Sequence, residues 1–235
     1  MVADAGFLGE PFEARRLEDL RRGEALVEQR TRLPVDRRLA FGALACALVT
    51  CVIGLYYTGD SGPRAFDTSI KNVLDAHLAD HRELLRFLVL STQPYVLLPV
   101  IVLIVTVCAI GGRRQDAVLA ALGPAVAVSA NTWVLKPLFD RQNEGLLAYP
   151  SGHTVSLVST LAVLTLLARP GATTGIVIAI GALLLTAAGI GMIGLGFHYF
   201  TDIVGGTFFA VAVVFALRLA ISRLSTHPSR EPSTG

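Results

Sequence analysis

Tyr149-Pro150-Ser151-Gly152-His153-Thr154 sits where a polar loop meets an apolar run. A Pro-Ser-Gly turn at the start of a helix exposes backbone N–H groups that lack intrahelical partners. The helix dipole is positive at that end, so the turn favours an anion. His153 adds a side chain that exchanges a proton near neutral pH. Two other pieces are spaced to serve the same spot. One is Lys136 with Arg141, just upstream; the other is His198-Tyr199-Phe200-Thr201-Asp202, at the edge of a later apolar run.

The rest of the chain reads as a membrane scaffold for these pieces. Hydrophobic residues make up 53% of the 235 and charged residues only 16%, and the charges crowd the first forty residues, one early loop and the C-terminus. Long charge-free stretches between them are the mark of several membrane spans. The six spans expected are 39–57, 87–110, 117–135, 154–168, 174–197 and 199–217. Residues 1–38 read as a charged N-terminal segment without the basic-then-apolar start of a secretory signal. Within it Phe12, Leu17, Leu20 and Leu26 fit either a surface amphipathic helix or a solvated tail. Residues 58–86 read as an interfacial helix, with Asp67, Lys71, Asp75, Asp80 and Glu83 on its polar side. Its His77 and His81 lack a third ligand for a metal. Residues 39–222 form the membrane domain, and 223–235 read as a disordered tail.

Six spans return both termini to one side. Arg113-Arg114, Arg169 and the terminal arginines then share that side, which the positive-inside rule makes the cytoplasm. The Pro-Ser-Gly turn, Lys136 and His198 all emerge on the opposite face. The fold class expected is therefore an all-α integral membrane protein with its site at the extracytoplasmic face of six helices, in a bacterial plasma membrane. The three cysteines, Cys46, Cys51 and Cys108, lie in apolar runs and form no disulfide or metal pattern.

His198 and Asp202 are spaced i, i+4, so they share one face of a helix. The carboxylate can hold one imidazole tautomer and leave the other nitrogen free to attack. His153 can protonate a departing oxygen. Lys136, Arg141, Ser151 and the N–H groups around Gly152 can hold three anionic oxygens. This equips the site for phosphoryl transfer through a phosphohistidine. The same His153, His198 and Asp202 could ligate zinc, and that alternative stays open.

The three pieces resemble the signature motifs of the type 2 phosphatidic acid phosphatase superfamily. Its second motif, Pro-Ser-Gly-His, stands intact at Pro150 to His153. Its third motif keeps His198 and Asp202, followed by Gly205-Gly206. The resemblance implies His198 as nucleophile, Asp202 as its orienting group, His153 as acid, and Lys136, Arg141, Asn143, Ser151 and Gly152 at the substrate phosphate. It implies neither cofactor nor metal. The partners it implies are a lipid phosphate and the bilayer, with no nucleic acid. The substrates would be polyprenyl phosphates or pyrophosphates, phosphatidic acid or phosphatidylglycerol phosphate; the alternative is a catalytically weakened lipid-phosphate binder. Two positions depart from the family pattern. The first-motif Arg-Pro falls on Asn143-Glu144, and the third-motif Ser-Arg falls on Gly191-Met192.

Overall fold

The computed structural model describes residues 35–224. The expected amphipathic helix around Leu17 and most of the 223–235 tail lie outside the described residues. The chain divides into an N-terminal unit ending at Phe41 and a second unit from Gly42 onward. Residues 35–41 are helical, and the packing that follows is that of the second unit.

Nine helices are described. The first, α1, covers Val35–Tyr56 of the described residues, so it already includes the four residues before the charge-free stretch at Leu39. The expected interfacial segment holds α2 (Ala65–Leu78), and its last residues already belong to α3 (Arg82–Val89), which opens the long apolar segment Arg82–Ile110. A 3₁₀ turn, Leu90–Thr92, then leads into α4 (Pro94–Ile110). The residue before a proline is pushed out of the helical region, so Gln93 is extended and Pro94 opens the new helix. α5 (Arg114–Ala130) continues through a π-helical turn at Asn131–Leu135 into the short α6 (Lys136–Phe139). Lys136 thus stands on a helix end, not in a loop. α7 (Gly152–Leu167), α8 (Ala172–Gly194) and α9 (Phe200–Leu224) complete the described chain.

Five of the helical segments are long and apolar enough to cross a membrane: Val35–Tyr56, Arg82–Ile110, Arg114–Phe139, Ala172–Gly194 and Phe200–Leu224. The sixth expected span is the shorter apolar helix Gly152–Leu167. It is also the central one, packing on α5, α8 and α9. Its buried residues include both apolar and small hydroxyl side chains, and Ser159 and Thr160 bond back to the carbonyl of Ser156. A helix surrounded by protein keeps such hydroxyls satisfied without water.

Small residues set how closely the helices approach. A Cβ at Gly205 of α9 would lie 2.3 Å from the Tyr149 ring, and one at Gly206 would lie 2.9 Å from the carbonyl oxygen of Ser151. The Gly205-Gly206 pair therefore lets α9 seat directly against the Tyr149–Thr154 turn. At the far ends of the same helices Asp116 accepts from Arg113 at 2.7 Å and from Arg218 at 2.8 Å, and Arg113 reaches the carbonyl of Leu167. The basic residues of α5 and α9 thus gather at the end remote from the Pro-Ser-Gly turn.

The stretch after α6 folds into a two-residue-loop hairpin. β1 (Gln142–Asn143) pairs antiparallel with β2 (Leu146–Leu147), Asn143 opposite Leu146. Glu144 and Gly145 both have positive φ, 51° and 80°, as a type I′ turn requires.

Candidate active site

The Tyr149–Pro150 peptide is cis, and Tyr149 is wholly buried, donating its hydroxyl to the carbonyl of Thr50 at 2.6 Å. Burial raises the affinity of this phenol for its proton, so it serves as a neutral donor that pins the turn to α1. Ser151 then caps α7: its Oγ accepts from the N–H of Thr154 at 3.4 Å. Its hydroxyl points to Met192 Sδ at 3.7 Å, and the residue is fully buried. Ser151 was expected at the substrate phosphate. In this structure its oxygen accepts from the helix end and its hydroxyl faces the Met192 sulfur. Gly152 and His153 form the first turn beyond the cap, both partly exposed.

A cavity of about 660 Å3 opens beside that turn, lined among others by Lys136, Asn143, Glu144, His153 and His198. The two histidine rings meet edge to face, 5.8 Å between centroids, and His153 also stacks on Phe197. Lys136, the end of α6, donates to the carbonyl of Leu147 on β2. Three sequence-predicted residues, Lys136, His153 and His198, are thus brought to one cavity from three separate elements.

Asn143 lines the same cavity, but its amide is committed. Nδ2 donates to the carbonyls of Gly196 at 2.8 Å and Phe197 at 3.3 Å, and Oδ1 accepts from the Tyr199 hydroxyl at 2.9 Å. It clamps the hairpin to the segment carrying His198 and, contrary to expectation, has no donor left for a phosphate.

Arg141 departs furthest from expectation. It is fully buried, and its guanidinium lies between the rings of Tyr57 and Tyr199, 4.1 and 4.7 Å from their centroids. One NH group donates to Asp202 Oδ1 and to Thr201 Oγ1, both at 2.6 Å; the other donates to Asp67 Oδ2 at 2.7 Å. A guanidinium held on both arms by buried carboxylates is part of the framework under the cavity, not a hand extended into it.

Asp202 is consequently occupied. Oδ1 takes Arg141, and Oδ2 accepts from the N–H of Tyr199 at 2.9 Å. Tyr199 precedes α9, so this is an N3 carboxylate reaching back to the cap residue, the reciprocal half of a capping box. His198 lies before the helix rather than on its face. Its Nδ1 is 3.7 Å from Asp202 Oδ2, beyond hydrogen-bond distance, and has no hydrogen-bond partner. The expected tautomer-fixing bond is therefore not closed in this structure; the two groups are adjacent and need less than 1 Å of approach to form it. The zinc alternative is not assembled either. Among the described residues no group of three or more His, Cys, Asp or Glu is arranged to hold a metal, and Asp202's oxygens are both engaged.

Asp67, read from the sequence as a solvated residue of an amphipathic helix, is buried at 1% exposure. Besides Arg141 it accepts from the N–H and the hydroxyl of Thr201. It thus supplies α9 with a capping carboxylate from a different helix, α2. The signal available in the sequence was only its place in the first turn of α2, which does not tell a buried carboxylate from an exposed one.

Comparison with known proteins bears on this assembly. The model of the PAP2 superfamily matches residues 118–225, a segment that holds Lys136, Arg141, the Pro150–His153 turn, His198 and Asp202. The family that the motifs resemble is thus the family that the comparison finds. A crystal structure from Bacillus subtilis, described as the first transmembrane PAP2 type phosphatidylglycerolphosphate phosphatase, shares the fold at a TM-score of 0.62 and 17% identity, covering 81% of this chain and all of that one. No curated protein matches the sequence. The chain is an integral membrane protein that shares its fold with a transmembrane PAP2 type phosphatase, and its residues 118–225 match the PAP2 superfamily model.

Proposed function

We propose that this protein is a membrane lipid phosphatase that cleaves a phosphomonoester or pyrophosphate of a lipid through a phosphohistidine. The observation that carries the reading is the pair of histidine rings, 5.8 Å apart, sharing one cavity with Lys136. A nucleophile and an acid must flank the scissile P–O bond, and two imidazoles on one wall meet that need. His198 attacks phosphorus while His153 protonates the departing lipid oxygen. Lys136 and the first N–H groups of α7 hold the phosphoryl oxygens. Asp202 closes on Nδ1 as the ring becomes cationic, since the gap is short and the charge then favours it. Water subsequently takes the phosphoryl group from His198.

The site lies at the ends of helices opposite the Arg113–Asp116–Arg218 cluster. By the positive-inside rule that cluster marks the cytoplasm and the cavity faces outward, so the substrate headgroup comes from the outer leaflet. Polyprenyl phosphates or pyrophosphates, phosphatidic acid and phosphatidylglycerol phosphate all fit the class. A second reading, a weakened lipid-phosphate binder, is favoured by Asn143 and Met192 at the two arginine positions. Phosphate release from these lipids by protein purified in detergent separates the two. Wild-type turnover abolished in His198→Ala, with acid-labile phosphate trapped on the wild-type chain, supports the phosphatase. Equal turnover by the two proteins, or none by either, refutes it.

A further inference from the structure

We infer that the cavity takes a phosphoryl group bearing a single negative charge, so that a lipid phosphodiester, or a monoester in its singly protonated form, is held in preference to a dianionic monoester or a pyrophosphate. The inference rests on the phosphoryl-site reading above: among the substrates named there it favours a singly protonated monoester, and it adds a lipid phosphodiester to them.

The argument is a sum of charges. Among the described residues, Lys136 is the one lysine or arginine lining the cavity, and Glu144, at the hairpin tip, lines it too. Asn143 has spent both amide protons on backbone carbonyls. Met192 is wholly buried in an apolar cluster with Val89, Leu97 and Leu157 and brings no charge. Directly beneath, Arg141 sits between Asp67 and Asp202, two carboxylates on one guanidinium, leaving one negative charge uncompensated. The titratable groups facing the ligand are then Lys136, Glu144, His153 and His198, with Tyr199 and the Asp67–Arg141–Asp202 triad behind them. With His198 neutral, as a nucleophile must be, and His153 protonated, as an acid must be, Lys136, His153 and the triad sum to +1, and Glu144, exposed at the hairpin tip and screened by solvent, only lowers that. A second negative charge on the ligand meets no counter-charge, and at low effective dielectric that penalty is large.

For a diester the step balances simply. A ring nitrogen of His198 bonds to phosphorus as the P–O bond to the lipid breaks, and the His153 proton goes to the departing oxygen. The remaining substituted phosphoryl group stays on His198 until water displaces the nitrogen.

The test uses two lipids with identical diacyl tails, phosphatidic acid and phosphatidylmethanol, which differ by one methyl on the phosphate. Binding is measured to the full-length wild-type and His198→Ala proteins in detergent micelles, at pH 8 and pH 5.5. A phosphate monoester has its second ionisation near pH 6, so phosphatidic acid carries nearly two charges at the higher pH and about one at the lower. We expect phosphatidylmethanol to bind about tenfold tighter or more at pH 8, with the preference gone at pH 5.5. Equal or tighter binding of phosphatidic acid at pH 8, a preference that persists at pH 5.5, or no binding of either lipid overturns the inference. The phosphatase reading is judged separately. It fails only if wild-type protein releases no more phosphate from phosphatidic acid at pH 5.5 than His198→Ala does.

Discussion

Removing the Asp67 carboxylate should cost this protein more than any single change in the cavity wall. Asp67 lies at 1% exposure and makes a 2.7 Å ion pair with Arg141, together with bonds to the N–H and hydroxyl of Thr201. Breaking a buried ion pair from one side costs roughly 3–5 kcal/mol, because the partner charge stays buried without compensation. Asp202 still faces Arg141, so Asp67→Ala belongs at the lower part of that range. Asp67→Asn keeps an acceptor for the Thr201 N–H and loses only the charge, which places it nearer 1.5–3 kcal/mol. For a chain of this length each kcal/mol moves the unfolding midpoint by about 2–4 °C, so Asp67→Ala should lower it by roughly 6–15 °C in detergent. A functional readout separates positioning from plain stability. With Asp67 gone, Arg141 draws on Asp202 alone, and the Asp202 oxygen that approaches His198 is held back. On the proposed mechanism kcat should fall at temperatures where the variant is folded, while KM changes little, and Asp67→Glu should not restore it if the longer arm misplaces Arg141. An Asp67→Ala protein with wild-type midpoint and wild-type kcat would refute the claim that this triad is coupled to the site.

Met192→Arg, which writes the family's third-motif arginine back into the chain, should destabilise the protein rather than improve it. The side chain is wholly buried in an apolar cluster, and an unpaired buried charge is among the most damaging single changes; a folded, more active variant would contradict the packing described. Gly205→Ala should be costly by about 1–3 kcal/mol, since its Cβ would lie 2.3 Å from the Tyr149 ring, and a thermal midpoint within 1–2 °C of wild type would count against the close seating of α9. A cysteine at Glu144, exposed at the hairpin tip, should react with a membrane-impermeant thiol reagent added to intact cells; labelling only after lysis would reverse the proposed orientation.

The spans and the convergence of the three polar pieces were legible because they depend on features local to the sequence. Charge-free runs of about twenty residues report membrane helices directly. The side on which Lys136, His153 and His198 emerge follows from counting those runs. What could not be read was the partner of each polar side chain. Arg141 and Asp67 are seventy-four residues apart and meet only because α2 folds over the start of α9. A sequence pattern gives Arg141 a charge and a place near the phosphate motif, and the simplest use of both is to bind the substrate. Tertiary packing overrides that use by supplying two carboxylates and two aromatic faces first. The hairpin at 142–147 was missed for a related reason. Glu-Gly is a weaker turn signal than Asn-Gly, and a two-residue strand offers no alternation to detect.

Gly191 and Met192 show how a departure from a family motif can be a consequence of packing elsewhere. A Cβ at Gly191 would lie 2.7 Å from the carbonyl oxygen of Leu85 and 2.6 Å from Val89, both on α3. The motif serine therefore does not fit while α3 sits where it does, and Met192 fills the adjoining apolar space. The two positions are bound together: α3 approaches α8 closely because residue 191 has no side chain, and that approach surrounds residue 192 with hydrocarbon. An arginine at 192 would need α3 to withdraw, and a withdrawn α3 would leave Val89 and Leu97 unpacked. The departure from the resembled motif at 191 and 192 is thus tied to how α3 packs on α8 rather than to one position alone. The low positive charge of the cavity, from which the preference for a singly charged phosphoryl group was argued, is in this sense built into the seat of α3 on α8.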